Sequence, residues 1–159
     1  MSGIRVVPFS REYAADFRRL NFDWIERLFK VEAADLKVLD DPEQAIIAKG
    51  GMIFFALDGA AVVGTVAMVR VSDERYELAK MAVAATHQRR GIGEMLGAAG
   101  VRWVAKQGGR SVFLQSNTKL DNALRLYERL GFRRAVDPNR TEYARCDIYM
   151  ELPIAAGGG

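Results

Sequence analysis

Apolar positions along this 159-residue chain switch between a period of two and a helical period, and the switches mark its elements. Ile4-Arg5-Val6-Val7-Pro8-Phe9 reads as a first strand. Ser10 then stands as a candidate N-cap, and Phe17, Leu20, Trp24 and Leu28 keep helical spacing; a second short helical piece falls between Ala33 and Lys49. After Gly50-Gly51 the pattern turns to strands. Met52 to Leu57 is a buried run, Asp58-Gly59 is a two-residue hairpin signal, and the chain returns from Ala61 to Val69. A turn at Ser72-Asp73-Glu74 leads into Tyr76 to Val83, completing an antiparallel meander of three strands.

A helix is predicted from about Gly91 to Gln107, with Ile92, Met95, Leu96, Ala99 and Trp103 on one stripe. Ser111 to Gln115 is the next strand. Because a helix separates it from the strand before, the two should pair in parallel through a right-handed crossover. Thr118-Lys119-Leu120-Asp121 fits a capping box, and Leu120, Ala123, Leu124 and Tyr127 give the buried face of a helix that Gly131 stops. Phe132-Arg133-Arg134 and Asp147 to Leu152 close the sheet as an antiparallel pair. The expected fold class is α/β (α+β) in one domain over 1–154: a mixed, mostly antiparallel central sheet with helices on both faces. Residues 155–159 form a tail.

Composition narrows the function classes. Half of the residues are hydrophobic and 27% are charged, and a chain of this length buries roughly 70% of its unfolded surface without a staple. Cys146 is the single cysteine and His87 the single histidine, so neither an internal disulfide nor a zinc site with the usual ligands is expected. The start of the chain shows no leader, and no apolar run approaches the ~18 residues of a membrane span. A cytoplasmic protein without membrane partner is the expectation. The pI of 9.2 invites a nucleic-acid reading. Yet the basic residues come as scattered pairs, Arg18-Arg19, Arg89-Arg90 and Arg133-Arg134, without the stripe that nucleic-acid affinity requires.

Chemistry concentrates between the third meander strand and the helix after it. Gln88-Arg89-Arg90-Gly91-Ile92-Gly93 places two glycines and two arginines at a helix N-terminus, where unpaired N–H groups and the helix dipole favour an anion such as a pyrophosphate. The spacing matches neither a Walker A loop nor G-x-G-x-x-G. The same helix carries Gly93, Gly97 and Gly100, each costing roughly 1 kcal/mol relative to Ala, so something should pack unusually close to it.

Glu77-Leu78-Ala79-Lys80-Met81-Ala82-Val83, then Gln88 to Gly93, then Leu126-Tyr127-Glu128-Arg129-Leu130-Gly131-Phe132 resembles the GCN5-related N-acetyltransferase (GNAT) superfamily, motif by motif and in order, from about Ile4 to Leu152. The resemblance implies the acyl-CoA N-acyltransferase fold, in which the strands at 76–83 and 111–116 splay apart and acetyl-CoA, the cosubstrate, sits in the opening. It implies that Gln88, Arg89, Arg90, Gly91, Ile92 and Gly93 hold the pyrophosphate and that pantetheine pairs with Met81, Ala82 and Val83. It implies direct acetyl transfer to a primary amine, with Glu77 as base and Tyr127 as hydrogen-bond or proton donor to the leaving thiolate. In many relatives an asparagine seven residues before the tyrosine contacts pantetheine. Here that position is Leu120, so the carry-over fails; Asn117 and the more exposed Asn122 are the candidates in its place.

For the acceptor, the resemblance points to the N-terminal helical region, Asn21 to Ile25 and Glu32 to Asp35, and to Tyr143 to Asp147 approaching from the other side. Acids there would attract an amine, and Arg145 with aromatics would suit a small substrate carrying a carboxylate. A small-molecule amine, amino acid or peptide is the expected acceptor, and a homodimer is a family habit. His87 is read as exposed and Cys146 as a strand residue. A non-catalytic acyl-CoA-binding sensor, or an acyltransferase using a longer chain, are the alternatives left open.

Overall fold

In a computed structural model of the chain, the described residues, 3–137 and 144–155, form one seven-stranded sheet. Its strands are β1 (Ile4–Pro8), β2 (Met52–Asp58), β3 (Ala61–Arg70), β4 (Arg75–Val83), β5 (Ser111–Ser116), β6 (Arg133–Arg134) and β7 (Ile148–Pro153), in the order β1-β2-β3-β4-β5-β7-β6. All neighbours are antiparallel except β4 and β5. The mixed sheet, the meander and the closing pair are those that the hydrophobic pattern predicts. Tyr143 lies outside the described residues.

Helices cover both faces. On one, α1 (Ala14–Leu28) and α2 (Ala33–Leu39) bring Phe17, Leu20 and Leu39 against Phe55, Leu57 and Ala82. On the other, α3 (Ile92–Lys106) and α4 (Asp121–Leu130) bring Ile92, Leu96, Val104 and Tyr127 against Val66, Met68 and Leu78. The single helical piece expected between Ala33 and Lys49 is two: α2, then one turn of π-helix at Glu43–Ile47. Pro42 explains the break, because it disfavours helical backbone at Asp41 before it.

Two local caps differ from expectation. Ser10 precedes a 3₁₀ turn at Arg11–Tyr13 and makes no capping bond. Thr118 does not cap α4, whose N-cap is Leu120. Its N–H and hydroxyl both donate to Asp147, at 2.9 and 3.0 Å; a carboxylate 29 residues away outcompetes the local partner because charge-assisted bonds are the stronger ones.

The glycines of α3 are contact points, as their cost suggested. A Cβ at Gly97 would stand 2.5 Å from Leu130 Cδ1, and one at Gly93 would stand 2.9 Å from Leu126 Cδ2, so α4 lies directly on α3 there. Gly100 meets β3 instead, with Met68 Sδ 2.6 Å and Cγ 3.0 Å from where its Cβ would be.

A bulge governs the outer half of β4. Ala79 opposes Ala67 and Ala82 opposes Thr65, so Lys80 and Met81 together face the single residue Val66. Lys80 takes the extra step with φ of +55°. The insertion reverses the alternation of side chains: Tyr76 and Leu78 face α3 before it, whereas Met81 and Val83 face that side after it and Ala82 packs toward α1.

Met68 is fully buried, and its Cγ, near the base of the side chain, would lie 3.0 Å from the new Cβ. Gly100→Ala should therefore lose about 1–2 kcal/mol net, overpacking outweighing the gain in helix propensity; a thermal melt at or above the wild-type midpoint would show that α3 can lift off β3 freely.

Candidate active site

β4 and β5 share only three paired positions, Arg75 with Ser111, Tyr76 with Val112 and Glu77 with Phe113. A side-chain stack clamps this end: Arg75 lies 3.9 Å over the Phe113 ring, Phe113 stacks on Tyr149 of β7 at 5.6 Å, and Arg75 Nη2 donates to the Tyr149 hydroxyl, which donates to Glu151 at 2.6 Å. Beyond Glu77, β4 runs on to Val83 with no strand on its β5 side among the described residues, while β5 keeps β7 on its far side. The splay opens a cleft of about 840 Å³, within the usual range for a ligand cavity.

The cleft gathers the candidates from each element. Met81, Ala82 and Val83 form its β4 edge, Glu77 stands at the closed end, and Tyr127, Asn122 and Asn117 face it from α4 and the loop before it. Gln88, Arg89, Gly91, Ile92 and Gly93 line the opposite end; Arg90 is exposed and lies outside the lining. Arg89 and Gly91 both turn left-handed, with φ of +64° and +76°. The turn brings the chain sharply into α3, whose first N–H groups lack intrahelical acceptors. Gln88 Nε2 donates to the Val83 carbonyl at 3.2 Å and ties this loop to the end of β4. Among the described residues, Lys80 and Arg89 are the two non-glycines with positive φ, and both line the cleft. Such backbone costs about 1–2 kcal/mol per residue and persists where the surroundings enforce it.

Tyr127 is 9% exposed, with its ring edge-on to Phe132 at 6.1 Å. Burial pushes its pKa up to about 12, so the hydroxyl stays protonated and able to donate. Among the described residues no buried side-chain polar atom lacks a partner. The Tyr127 hydroxyl, which has no protein partner there, therefore opens on the cleft. Asn117 lines the cleft while its amide donates to the Arg145 carbonyl and accepts from the Lys119 N–H at 2.8 Å; one N–H and one lone pair remain.

At the α2 end of the cleft, where acids were expected to draw an amine, Glu32 and Asp35 belong to a buried charge cluster. Asp35 is fully buried. Its Oδ1 accepts from Lys80 Nζ at 2.7 Å and Arg145 Nη2 at 2.6 Å, and its Oδ2 from Arg145 Nη1 and the Glu32 N–H, both at 2.9 Å. Glu32 accepts from Arg145 Nη1 as well, at 3.2 Å. Burial alone would raise the Asp35 pKa, but these bonds outweigh it and hold the carboxyl at about 2, below its ordinary 3.8. Burial pushes the Lys80 pKa down against the pull of Asp35, and the bond to Asp35 keeps Arg145 raised despite its own burial. Glu32, Asp35 and Arg145 are thus committed to one another. No periodicity reveals such a cluster; its one visible trace is a lysine inside the apolar run Leu78 to Val83.

Two further expectations change. His87 is not exposed: its Nε2 pairs with Asp58 Oδ2 at 2.8 Å, at the β2–β3 hairpin, with only 17% of its side chain accessible. Cys146 is not in a strand, since β7 starts at Ile148, and it lines the cleft. Among the described residues no cluster of His, Cys, Asp and Glu could hold a metal ion, and no helix is long and apolar enough to cross a membrane.

The model of the acetyltransferase (GNAT) family matches residues 12–132. Mycothiol acetyltransferase of Corynebacterium efficiens is 32% identical over 80 residues, half of this chain but 27% of that enzyme's length. A GNAT-family acetyltransferase structure from Staphylococcus aureus Mu50 superposes with a TM-score of 0.85 at 18% identity, over 94% of this chain and 98% of that one. The structure of yncA from Salmonella typhimurium with its cofactor acetyl-CoA gives 0.78 at 15% identity, over 99% and 98%. At these identities the two structures speak to the fold.

A carboxyl with a depressed pKa stabilises the fold above its unfolded value, and that contribution fades as pH falls toward the folded value. Asp35→Asn should therefore cost about 3–5 kcal/mol at neutral pH, as breaking a buried pair does. The gap to wild type should hold down to about pH 4, near the ordinary 3.8, and shrink as pH approaches 2. Chemical denaturation across that range measures it; a gap that is absent at pH 7, or flat to pH 2, would contradict the cluster.

Proposed function

Because the chain belongs to the acetyltransferase (GNAT) family, we propose that it moves the acetyl group of acetyl-CoA directly to a primary amine of a small molecule, amino acid or peptide. One observation carries this: the β4–β5 pairing stops at Glu77 and Phe113, leaving a main-chain edge open along a cleft that ends at the N-terminus of α3.

The residues present fit acetyl-CoA. An open strand edge needs main-chain partners, and the amides of a pantetheine arm supply them to Met81, Ala82 and Val83. The free N–H groups at the start of α3, with the loop from Gln88 to Gly93, suit a diphosphate. Arg89 adds charge from within the cleft, and Arg90 adds it only from outside. Asn117 and Asn122 complete the site from the α4 side.

Acetyl-CoA supplies an acyl carbon activated as a thioester. Glu77, on the cleft wall, takes a proton from the incoming amine, directly or through water. A lysine-type amine, with a pKa near 10.4, depends on that base more than an α-amine near 7.7–8.0. A main-chain N–H near Val83 faces the negative charge that grows on the acyl oxygen, where one well-aimed donor is worth roughly 3 kcal/mol. Tyr127 offers its hydroxyl to the departing sulfur. With its pKa at about 12 the phenol holds its proton more firmly than a thiol near 8.5, so its contribution is a hydrogen bond and not a completed transfer. Glu32 and Asp35 are bound to Arg145 and Lys80, whereas Glu77 lies on the cleft wall at the closed end; it is the carboxylate assigned to the amine. The edge-to-face pair Trp24 and Phe29, 6.2 Å apart, offers the acceptor an aromatic wall.

Thiol release from acetyl-CoA across a panel of amines tests the proposal. Turnover of at least one amine is expected. Glu77→Gln should lower kcat about 100-fold and remove the low-pH limb of the rate profile; Tyr127→Phe should lower kcat about tenfold with little change in acetyl-CoA affinity. Arg89→Ala should weaken acetyl-CoA binding about tenfold. Tight binding of acetyl-CoA without turnover of any amine would instead favour a sensor that has kept the cleft alone.

A further inference from the structure

We propose that Asp35 is a positioning residue for the acceptor: it never meets substrate, but it sets where residues 144–147 stand at the acceptor end of the cleft. The proposal rests on the acetyl-transfer reading of that cleft.

The segment 144–147 lies before β7 begins at Ile148, so no strand ladder runs along it. It is held from two sides. From the α2 side, Glu32 accepts from the Ala144 N–H at 3.2 Å and from Arg145 Nη1 at 3.2 Å, and Asp35 grips the Arg145 guanidinium at both nitrogens. From the β5 side, the Asn117 amide donates to the Arg145 carbonyl, Thr118 donates twice to Asp147, and the Asp147 N–H donates to the Ser116 carbonyl at 2.9 Å. The segment is a strap across the mouth between α2 and the end of β5. Two of its side chains, Arg145 and Cys146, line the cleft, and the Arg145 guanidinium stands 5.9 Å from the Trp24 ring.

Asp35 is the point where this strap meets the floor. The same carboxylate that grips Arg145 also binds Lys80, the residue of the β4 bulge. Three stretches far apart in sequence thus converge on one side chain with no exposure of its own. A buried ion cluster is a poor way to gain stability, because apolar replacements of similar size often do as well. What a carboxylate adds is geometry: a fork that accepts four bonds in fixed directions and matches a guanidinium edge. An asparagine keeps one accepting oxygen and turns the other position into a donor that faces the Arg145 guanidinium in either orientation of the amide.

Two variants separate placement from mere stability. Asp35→Asn removes the fork and leaves two buried cations; Asp35→Asn/Lys80→Met removes one charge of each sign and keeps the cluster balanced. In both, amide hydrogen exchange over 144–147 should accelerate at least tenfold beyond whatever change β2, β3 and α3 show, since exchange in those elements follows global stability alone. Acetyl-CoA affinity by calorimetry should stay within threefold of wild type. For the amine turned over fastest in the panel, kcat/KM should fall 10- to 100-fold, chiefly through KM. The double variant should recover melting temperature without recovering acceptor KM. Wild-type exchange over 144–147 in both variants would overturn the proposal, as would parallel losses of acceptor and acetyl-CoA affinity that track melting temperature. If the wild-type protein acetylates no amine, the acetyl-transfer reading fails, and the exchange measurement still decides whether Asp35 places the strap.

Discussion

Two central strands that pair for three positions and then part impose a cost that the surrounding structure must meet. Main-chain groups inside a sheet are obligatory hydrogen-bonding groups, and an edge left open in the middle of a sheet is stable only where solvent or a ligand can reach it. Here the closed end is clamped by Arg75, Phe113 and Tyr149, and the open end is bordered by α4 on one side and by the β4 bulge on the other. The cleft follows from that geometry, and so do its chemical inhabitants: a carboxylate at the closed end, a phenol on its wall, and a helix N-terminus at the far mouth.

The bulge links the two faces of the sheet. By reversing the side-chain alternation it turns Met81 and Val83 onto α3, where Gly93 leaves room for Met81 and Leu126, and it aims Lys80 across the sheet at Asp35 of α2. Without the bulge, Lys80 would fall on the side that Tyr76 and Leu78 fill with apolar contacts. The backbone strain at Lys80 and the buried ion cluster are therefore two parts of one arrangement. It joins the open edge of β4 to the segment 144–147 on the far side of the cleft.

Much of this was legible in the sequence, for a physical reason. Strand and helix periods reported the burial of each face, Asp58-Gly59 reported a hairpin, and the glycines at 93, 97 and 100 reported helix contacts so close that a Cβ would displace its neighbour. The loop from Gln88 to Gly93 was visible because the tight turn into a helix is written in its glycines, Gly91 taking a φ of +76°. Long-range polar pairing was not. Asp35, Lys80 and Arg145 are separated by 45 to 110 positions, and no local pattern pairs them. Thr118 misled in the same way, since its local capping pattern lost to Asp147, and His87 looked exposed because Asp58 is its partner only in the folded hairpin. Arg90 shares its neighbour's chemistry in the sequence, yet the left-handed turn at Arg89 sends it outside the cleft.

The most direct measurement of the central claim is residue-resolved amide exchange with and without acetyl-CoA. If the open edge of β4 receives the pantetheine arm and the start of α3 receives the diphosphate, saturating acetyl-CoA should slow exchange between residues 79 and 83 and between 91 and 94, with little change in β1 or β6. Protection confined to another surface, or none at saturation, would contradict the account.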